Sequence, residues 1–170
     1  MAGMPRVAVL NCGNRRSVVK ALEHLGAEIC PEIGEATHCI IPGVGTMASV
    51  MQAIGHVRAE LEWFKKEGRP ILGICAGFHA MCMHSEEGDC DGLGWLALEV
   101  KKLEPPIPRQ GWLSNDQGTY YFSHSYGAPT DKEEFLHSMW ELNLRGCQFH
   151  PEKSQADGLD FLRRFLEWKP

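Results

Sequence analysis

The sequence predicts an α/β fold: an open, mostly parallel sheet with helices on both faces and a small β subsheet in the second half. Three observations predict it. Apolar runs at Val7–Leu10, His38–Ile41 and Pro70–Ile74 are each closed by glycine, proline or asparagine turn residues or by a glycine-flanked cysteine. Each is followed by a stretch whose apolar residues recur every three or four positions. After Met83 that rhythm gives way to short β-type runs joined by proline- and glycine-bearing loops. All 170 residues are read as one domain, 1–170, long enough to enclose a substantial core.

The elements follow in order. Arg6–Cys12 reads as a buried strand, and Cys12-Gly13-Asn14 turns the chain. Asn14 is suited to cap a helix in which Val18, Ala21, Leu22 and Leu25 share one face, with Gly26 placed to end it. The strand His38–Ile41 is closed by Pro42-Gly43-Val44-Gly45, and Thr46 is suited to cap a helical stretch running towards Lys66. Gly68-Arg69-Pro70 resets the chain into a third strand ending at Cys75, and Ala76–Met83 continues as helix. Repeated strand and helix imply parallel strands with right-handed crossovers. Sites in such sheets lie at the carboxyl ends of the strands, here Asn11–Asn14, Pro42–Gly45 and Cys75. Leu93–Leu103, Thr119–Tyr126 and Met139–Phe149 read as β-rich. Ser154, with Asp157 in a capping-box-like pair, opens a last helix packed through Leu159, Leu162, Phe165 and Leu166. Ser85–Asp89 reads as a solvated acidic loop.

Composition excludes several classes of function. The net charge of −5 and scattered basic residues argue against a nucleic-acid surface. No apolar stretch is long enough to cross a bilayer, and Met1–Arg6 lacks a signal-peptide core. Seven cysteines without a Cys-x-x-Cys spacing argue against zinc and against a disulfide framework, so neither a metal nor a cofactor is expected. A reducing cytoplasm is the compartment this implies.

The chemistry sits in two fragments. Gly73-Ile74-Cys75-Ala76-Gly77 joins a strand to a helix. The glycines permit a tight turn, and the helix start offers N–H groups and positive partial charge, which favour thiolate over thiol. His150-Pro151-Glu152 supplies a base with a carboxylate two positions on. In extended chain these side chains share a side, so Glu152 would hold one ring nitrogen and leave the other facing the thiol. Alone, Cys75 reads as a buried core residue and His150 as a structural histidine; together they point to nucleophilic attack at a carbonyl carbon.

With Gln148-Phe149 before His150 and Lys153-Ser154 after Glu152, these fragments resemble class I glutamine amidotransferases, whose fold is a flavodoxin-like open sheet. Further matches point within that class to glutaminase subunits of imidazole glycerol phosphate synthase. They are Gly13-Asn14 with Arg16-Ser17-Val18, Pro42–Gly45, Gly92–Trp95, Gly111-Trp112, Tyr121-Phe122, His124-Ser125-Tyr126 and Gly158-Leu159. The resemblance spans nearly the whole chain. It implies that Cys75 attacks the side-chain amide of glutamine, that His150 moves the protons and that Glu152 orients His150. It implies oxyanion donors at Ala76 and at the Gly43-Val44 peptide, in a strand that must rearrange when a partner carries its own substrate. It implies substrate contacts at Gly45, His79, Ser125 and Tyr126. It also implies a partner face of Asn14, Ser17, Trp112, Tyr121 and Lys153, docking on a synthase (cyclase) subunit of (β/α)8-barrel type that receives the ammonia.

The chain departs from the family's pattern at identifiable places. His79 stands where glutamine is usual. Arg109-Gln110 and Leu113 are unusual on the implied docking face, the Cys30–Thr37 loop is trimmed, and the stretch between Tyr126 and Gly146 is short by the length of a strand. These departures keep other readings open: a related subunit feeding another amidating enzyme, such as one acting on surface sugars; a non-catalytic binding subunit; or an unrelated cysteine hydrolase of similar architecture. The resemblance also implies that the subunit alone is nearly silent.

Overall fold

A computed structural model describes residues 3–170. Met1 and Ala2, part of the opening stretch discussed above, lie outside the described residues. In chain order the elements are β1 (Arg6–Val9), α1 (Arg15–His24), β2 (Glu28–Cys30), β3 (His38–Ile41), α2 (Met47–Gly55), α3 (Arg58–Lys66), β4 (Ile71–Ile74) and α4 (Ala76–Met81). Then come β5 (His84–Ser85), β6 (Cys90–Asp91), β7 (Glu99–Lys102), β8 (Arg109–Asn115), β9 (Gly118–His124), β10 (Tyr126–Gly127), β11 (Ser138–Glu141), β12 (Leu144–Cys147) and α5 (Gln155–Glu167).

The main sheet has the order β11-β12-β4-β3-β1-β2, and every neighbouring pair is parallel except β11 with β12. Alternation along the strands divides the core into two layers. Val7, Val9, Ile40, Leu72 and Ile74 pack with Val18 and Leu22 of α1 and Phe161, Leu162 and Phe165 of α5. Ala8, Cys39, Ile41 and Ile71 point the other way, to Val50 and Ile54 of α2, Leu61 and Phe64 of α3 and Phe78 and Met81 of α4. The central strands β3, β4 and β12 are buried along their whole length, as strands covered on both faces must be. The expected subsheet is present as β10-β7-β5-β6, and β8 and β9 form a separate two-stranded ribbon.

Several local expectations need correction. The three-residue edge strand β2 is an addition, too short to show a period. The stretch towards Lys66 is two helices, broken at His56-Val57 just after Gly55. Helix α4 stops at Met81, two residues short of the expected end. Asn14 precedes α1, but at φ −89°, ψ 48° it lacks the extended backbone a side-chain cap needs and makes none. Thr46 does cap α2, its hydroxyl accepting from the Ser49 amide at 3.2 Å. Ser154 and Asp157 do not form a capping box. Among the described residues the outer edge of β9 has no strand partner, and these two side chains accept from the Tyr121 and Thr119 amides at 2.9 and 2.7 Å. The hairpin β11–β12 joins the main sheet rather than the subsheet, with β12 parallel to β4. No helix among the described residues is long and apolar enough to cross a membrane.

Candidate active site

Parallel pairing of β3, β4 and β12 brings their carboxyl ends to one edge of the sheet. Cys75 is the residue after β4. Its φ of 51° and ψ of −111° are strained for an L-residue, and its amide donates to the Cys147 carbonyl at 2.8 Å. The strain therefore falls on the cysteine itself. The flanking glycines serve close packing instead. A Cβ on Gly73 would lie 2.6 Å from Met81 Sδ, and one on Gly77 1.9 Å from the Ile41 carbonyl oxygen. Helix α4 can thus sit directly on the sheet, with its first residue, Ala76, lining the same pocket as Cys75.

The turn Pro42–Gly45 runs over the start of α4. A Cβ on Gly43 would lie 2.1 Å from the Gly77 nitrogen and 2.8 Å from Ala76 Cα. From the other side Gly13, at φ 54°, approaches so closely that a Cβ there would meet the Val44 nitrogen at 2.7 Å. Cys12 adds a bond from Sγ to the Pro42 carbonyl at 3.1 Å. The Gly43-Val44 peptide is thereby stacked between the β1–α1 turn and the start of α4, while the Val44 side chain is exposed.

His150 and Glu152 meet by a tighter route than extended chain. Pro151–Lys153 forms a single 3-10 turn, and it folds the Glu152 carboxylate back to 3.0 Å from His150 Nδ1, with both side chains buried. The His150 amide donates to the Tyr121 carbonyl at 2.9 Å, and its own carbonyl accepts from Ser154 Oγ at 2.6 Å. Burial alone would make the imidazole a weaker base, but its interactions with Cys75 and Glu152 outweigh burial and raise its pKa to about 10.

One pocket gathers most of these groups. Cys75, Ala76 and His150 line it with Val44, Gly45, His79, Ser125, Tyr126 and Lys153. Three further residues, Glu87, His124 and Gln148, were not singled out by sequence. Glu87 lines the pocket and accepts from the Met47 amide at 3.2 Å. The acidic loop it belongs to is half-structured, between β5 and β6, rather than wholly solvated. Gln148 is fully buried, with Nε2 3.5 Å from Cys75 Sγ and Oε1 2.7 Å from His79 Nε2. His79 thus lines the pocket with its Nε2 already engaged. Burial lowers the His79 imidazole to a pKa of about 4, against the partial support of Gln148. His124 is neutral for the same first reason, also at about 4, with Nδ1 2.8 Å from the Tyr126 carbonyl. The positions of Gln148 and His124 within the quoted motifs could have hinted at their roles; for Glu87 the signal is tertiary.

The residues of the implied partner face fall along one rim. Ser17 lines a cleft with Pro151 and Glu152, Trp112 lines another with Ser154, and Lys153 lies between them. Asn14 sits just before α1. Trp112 is 47% exposed and packs edge-on against Tyr121, opposite it in the ribbon, with ring centroids 5.7 Å apart. Of the unusual neighbours, Arg109 turns away from this rim: its guanidinium pairs with Glu134 at 2.5 Å and donates to the Pro106 carbonyl. Glu134 also accepts from the Glu104 amide. Two departures, Arg109 and the shortened 127–145 segment, are therefore structurally linked. Among the described residues no group of His, Cys, Asp and Glu is arranged to hold a metal ion.

The architecture is that of glutamine amidotransferases. A solved glutamine amidotransferase superposes with a TM-score of 0.72 over 94% of this chain and 97% of its own, at 17% identity. The structure of PurLQS from Thermotoga maritima gives 0.68 over 95% and 97%, also at 17% identity. No family model matches the sequence. Curated relatives are closer. The imidazole glycerol phosphate synthase subunit HisH of Zymomonas mobilis is 37% identical over 93% of this chain and 92% of its own length. That of Staphylococcus aureus is 33% identical over 91% and 92%. The chain belongs to the HisH family of glutamine amidotransferase subunits.

Proposed function

We propose that this chain hydrolyses glutamine to glutamate and ammonia through Cys75, His150 and Glu152, and delivers the ammonia to the cyclase subunit of imidazole glycerol phosphate synthase in histidine biosynthesis. The observation that carries the reading is the strained Cys75 at the start of α4, sharing a pocket with a histidine paired at 3.0 Å to a buried carboxylate. The Cys75 thiol passes its proton to His150 as the sulfur adds to the amide carbon of glutamine, and the negative charge moves to the amide oxygen. Backbone amides of Ala76 and Val44 receive it, and one such donor is worth about 10²–10³ in rate. His150 gives its proton to the departing nitrogen. Ammonia leaves, and a thioester remains on Cys75. His150 then takes a proton from water as the water attacks the thioester, releasing glutamate and restoring the thiol. Glu152 holds the ring and balances its positive charge.

Gly45, Ser125, Tyr126 and His79 line the space for the amino-acid end of the substrate, and the Glu87 carboxylate gives that space a charge suited to an α-ammonium group. The partner face comprises Asn14, Ser17, Trp112, Tyr121 and Lys153, and the barrel-type cyclase docks there. The complex works in the cytoplasm, and residues 1–170 act as one domain. Ammonia release from glutamine, measured with and without the cyclase subunit for wild type and Cys75→Ala, tests the reading. Partner-dependent release that vanishes in Cys75→Ala supports it. Release that survives in Cys75→Ala, or that no histidine-pathway cyclase stimulates, overturns it.

A further inference from the structure

We infer that His79 and Gln148 form a buried positioning pair that presents an amide N–H to the Cys75 sulfur, with the His79 proton fixed on Nε2. The inference rests on the reading of Cys75 as the nucleophile. Gln148 is fully buried and its amide is held at both ends: Oε1 is 2.7 Å from His79 Nε2, and Nε2 is 3.5 Å from Cys75 Sγ. An amide has one accepting end and one donating end, so its two contacts are not independent. If His79 Nε2 carries hydrogen, it donates to Gln148 Oε1, and the NH2 group must face the sulfur. If His79 carries its hydrogen on Nδ1, the amide turns over and a carbonyl oxygen faces the sulfur.

Chemistry selects the first arrangement. A sulfur that becomes negative while passing its proton to His150 is stabilised by a donor and repelled by a carbonyl lone pair. The amide donor is also independent of the oxyanion donors, which serve the substrate oxygen. The pair therefore supports the nucleophile before substrate binds. It accounts for His79 in this chain: imidazole at the bottom of a dry site is a one-way donor once its tautomer is set, and burial keeps it neutral. The ring is 3% exposed, so water does not compete for the contact.

Other titratable groups lie in or near the same pocket. His150 and Glu152 come from the turn after β12, Cys147 from β12 itself, His124 and Tyr126 from the end of the ribbon and the subsheet, Glu87 from the β5–β6 turn, and Lys153 from the rim. None of these side chains hydrogen-bonds the Gln148 amide in place of His79, so changes at 79 and 148 report on the pair.

The test is the pH–rate profile for alkylation of Cys75 by iodoacetamide in the isolated chain, read by mass spectrometry of the Cys75 peptide between pH 5 and 9. Half-buried Cys12 and buried Cys82, pushed up to about 11 and about 12, react too slowly to interfere. Gln148→Met should move the profile about one pH unit towards alkaline, or about tenfold slower alkylation at pH 6. His79→Phe should move it the same way, and His79→Gln, which keeps a donor, should restore it. Superimposable profiles in folded Gln148→Met and His79→Phe overturn the inference. Should those variants not fold, 15N spectra of the wild-type histidines decide: hydrogen on His79 Nε2 supports it, and hydrogen on Nδ1 overturns it. If Cys75→Ala retains partner-dependent ammonia release, the nucleophile reading fails instead, whatever the profiles show.

Discussion

Gly43 and Gly77 touch backbone to backbone: a Cβ on Gly43 would stand 2.1 Å from the Gly77 nitrogen. Neither backbone has room to yield, because Gly77 is itself pressed on the Ile41 carbonyl and Gly43 on Gly13. Gly43→Ala should therefore push the Gly43-Val44 peptide off the start of α4 and remove an oxyanion donor. Partner-stimulated kcat is expected to fall about 10²–10³-fold. Alkylation of Cys75 should persist, because the sulfur and His150 are supported from β4 and β12. Steady-state kinetics beside iodoacetamide labelling checks both halves, and an unchanged kcat would remove Gly43 from the oxyanion machinery.

Glu152 holds His150 at 3.0 Å with both side chains sealed from solvent. Glu152→Gln keeps the shape but removes the charge that balances a protonated imidazole and can turn the ring to the wrong tautomer. Glutaminase kcat should drop by about 10²–10⁴, with KM for glutamine little changed. The His150 titration, followed by NMR, should move down from its raised position, since the carboxylate is one of the groups that raise it. A kcat within threefold of wild type would reduce Glu152 to a structural role.

The arrangement of Cys75 at a β-strand to α-helix joint was legible because glycine spacing and an apolar run are local signals. So was the pairing of His150 with Glu152, although a 3-10 turn rather than extended chain brings them together. The places where reading failed are those where tertiary contacts decide. Met139–Phe149 reads correctly as β-rich, but Arg145 and Gly146 give no sign that Leu144–Cys147 is a central strand between β4 and β11. The ribbon strand β8 is polar and half-exposed, so no apolar alternation announced it. Ser154 and Asp157 carried a cap signature, but the bare edge of β9 claims both side chains. Glu87 looked like one more charge in a solvated loop; only the β5–β6 hairpin aims it into the pocket.

Two buried histidines make folding sensitive to acid. His79 and His124 both have folded pKa values of about 4, against about 6.5 when unfolded. The unfolded chain therefore binds more protons between these values, and stability is present above about pH 6.5 and lost as pH falls. His38, lowered by burial, acts in the same direction. From His79 and His124 together the slope should approach roughly 2.7 kcal/mol per pH unit within the window, two protons at about 1.4 each. Urea melts at pH 5, 5.5, 6 and 6.5 measure it. His79→Gln should remove about half of the slope, and a flat profile would contradict the neutral assignment.

Trp112 stands 47% exposed beside Tyr121, whose carbonyl holds the His150 amide. An exposed tryptophan on a two-stranded ribbon suits an anchor at an interface, where truncation typically costs 2 kcal/mol or more. Trp112→Ala should weaken binding to the cyclase subunit about 30-fold or more, with the melting temperature of the isolated chain nearly unchanged. Titration calorimetry beside a thermal melt separates the two effects. A large loss of stability with unchanged affinity would make Trp112 part of the ribbon's own packing.

Arg145 is the largest fully buried side chain, on the central strand β12, and none of its three guanidinium nitrogens has a hydrogen-bond partner. It lies between aromatic faces, 3.1 Å from the Trp140 ring centroid and 3.9 Å from that of Phe161. Burial lowers its pKa to about 9, so it carries its charge at neutral pH without a carboxylate to balance it. The aromatic contacts return about 2 kcal/mol, whereas removing such an ion from water costs several. Desolvation wins this comparison. Arg145→Met, close in length and apolar, should therefore raise the stability of the isolated chain by about 1–3 kcal/mol, read as a higher urea midpoint at unchanged m-value. A loss of stability of similar size would mean that the stacked guanidinium holds β11 and α5 against the sheet more strongly than its burial opposes.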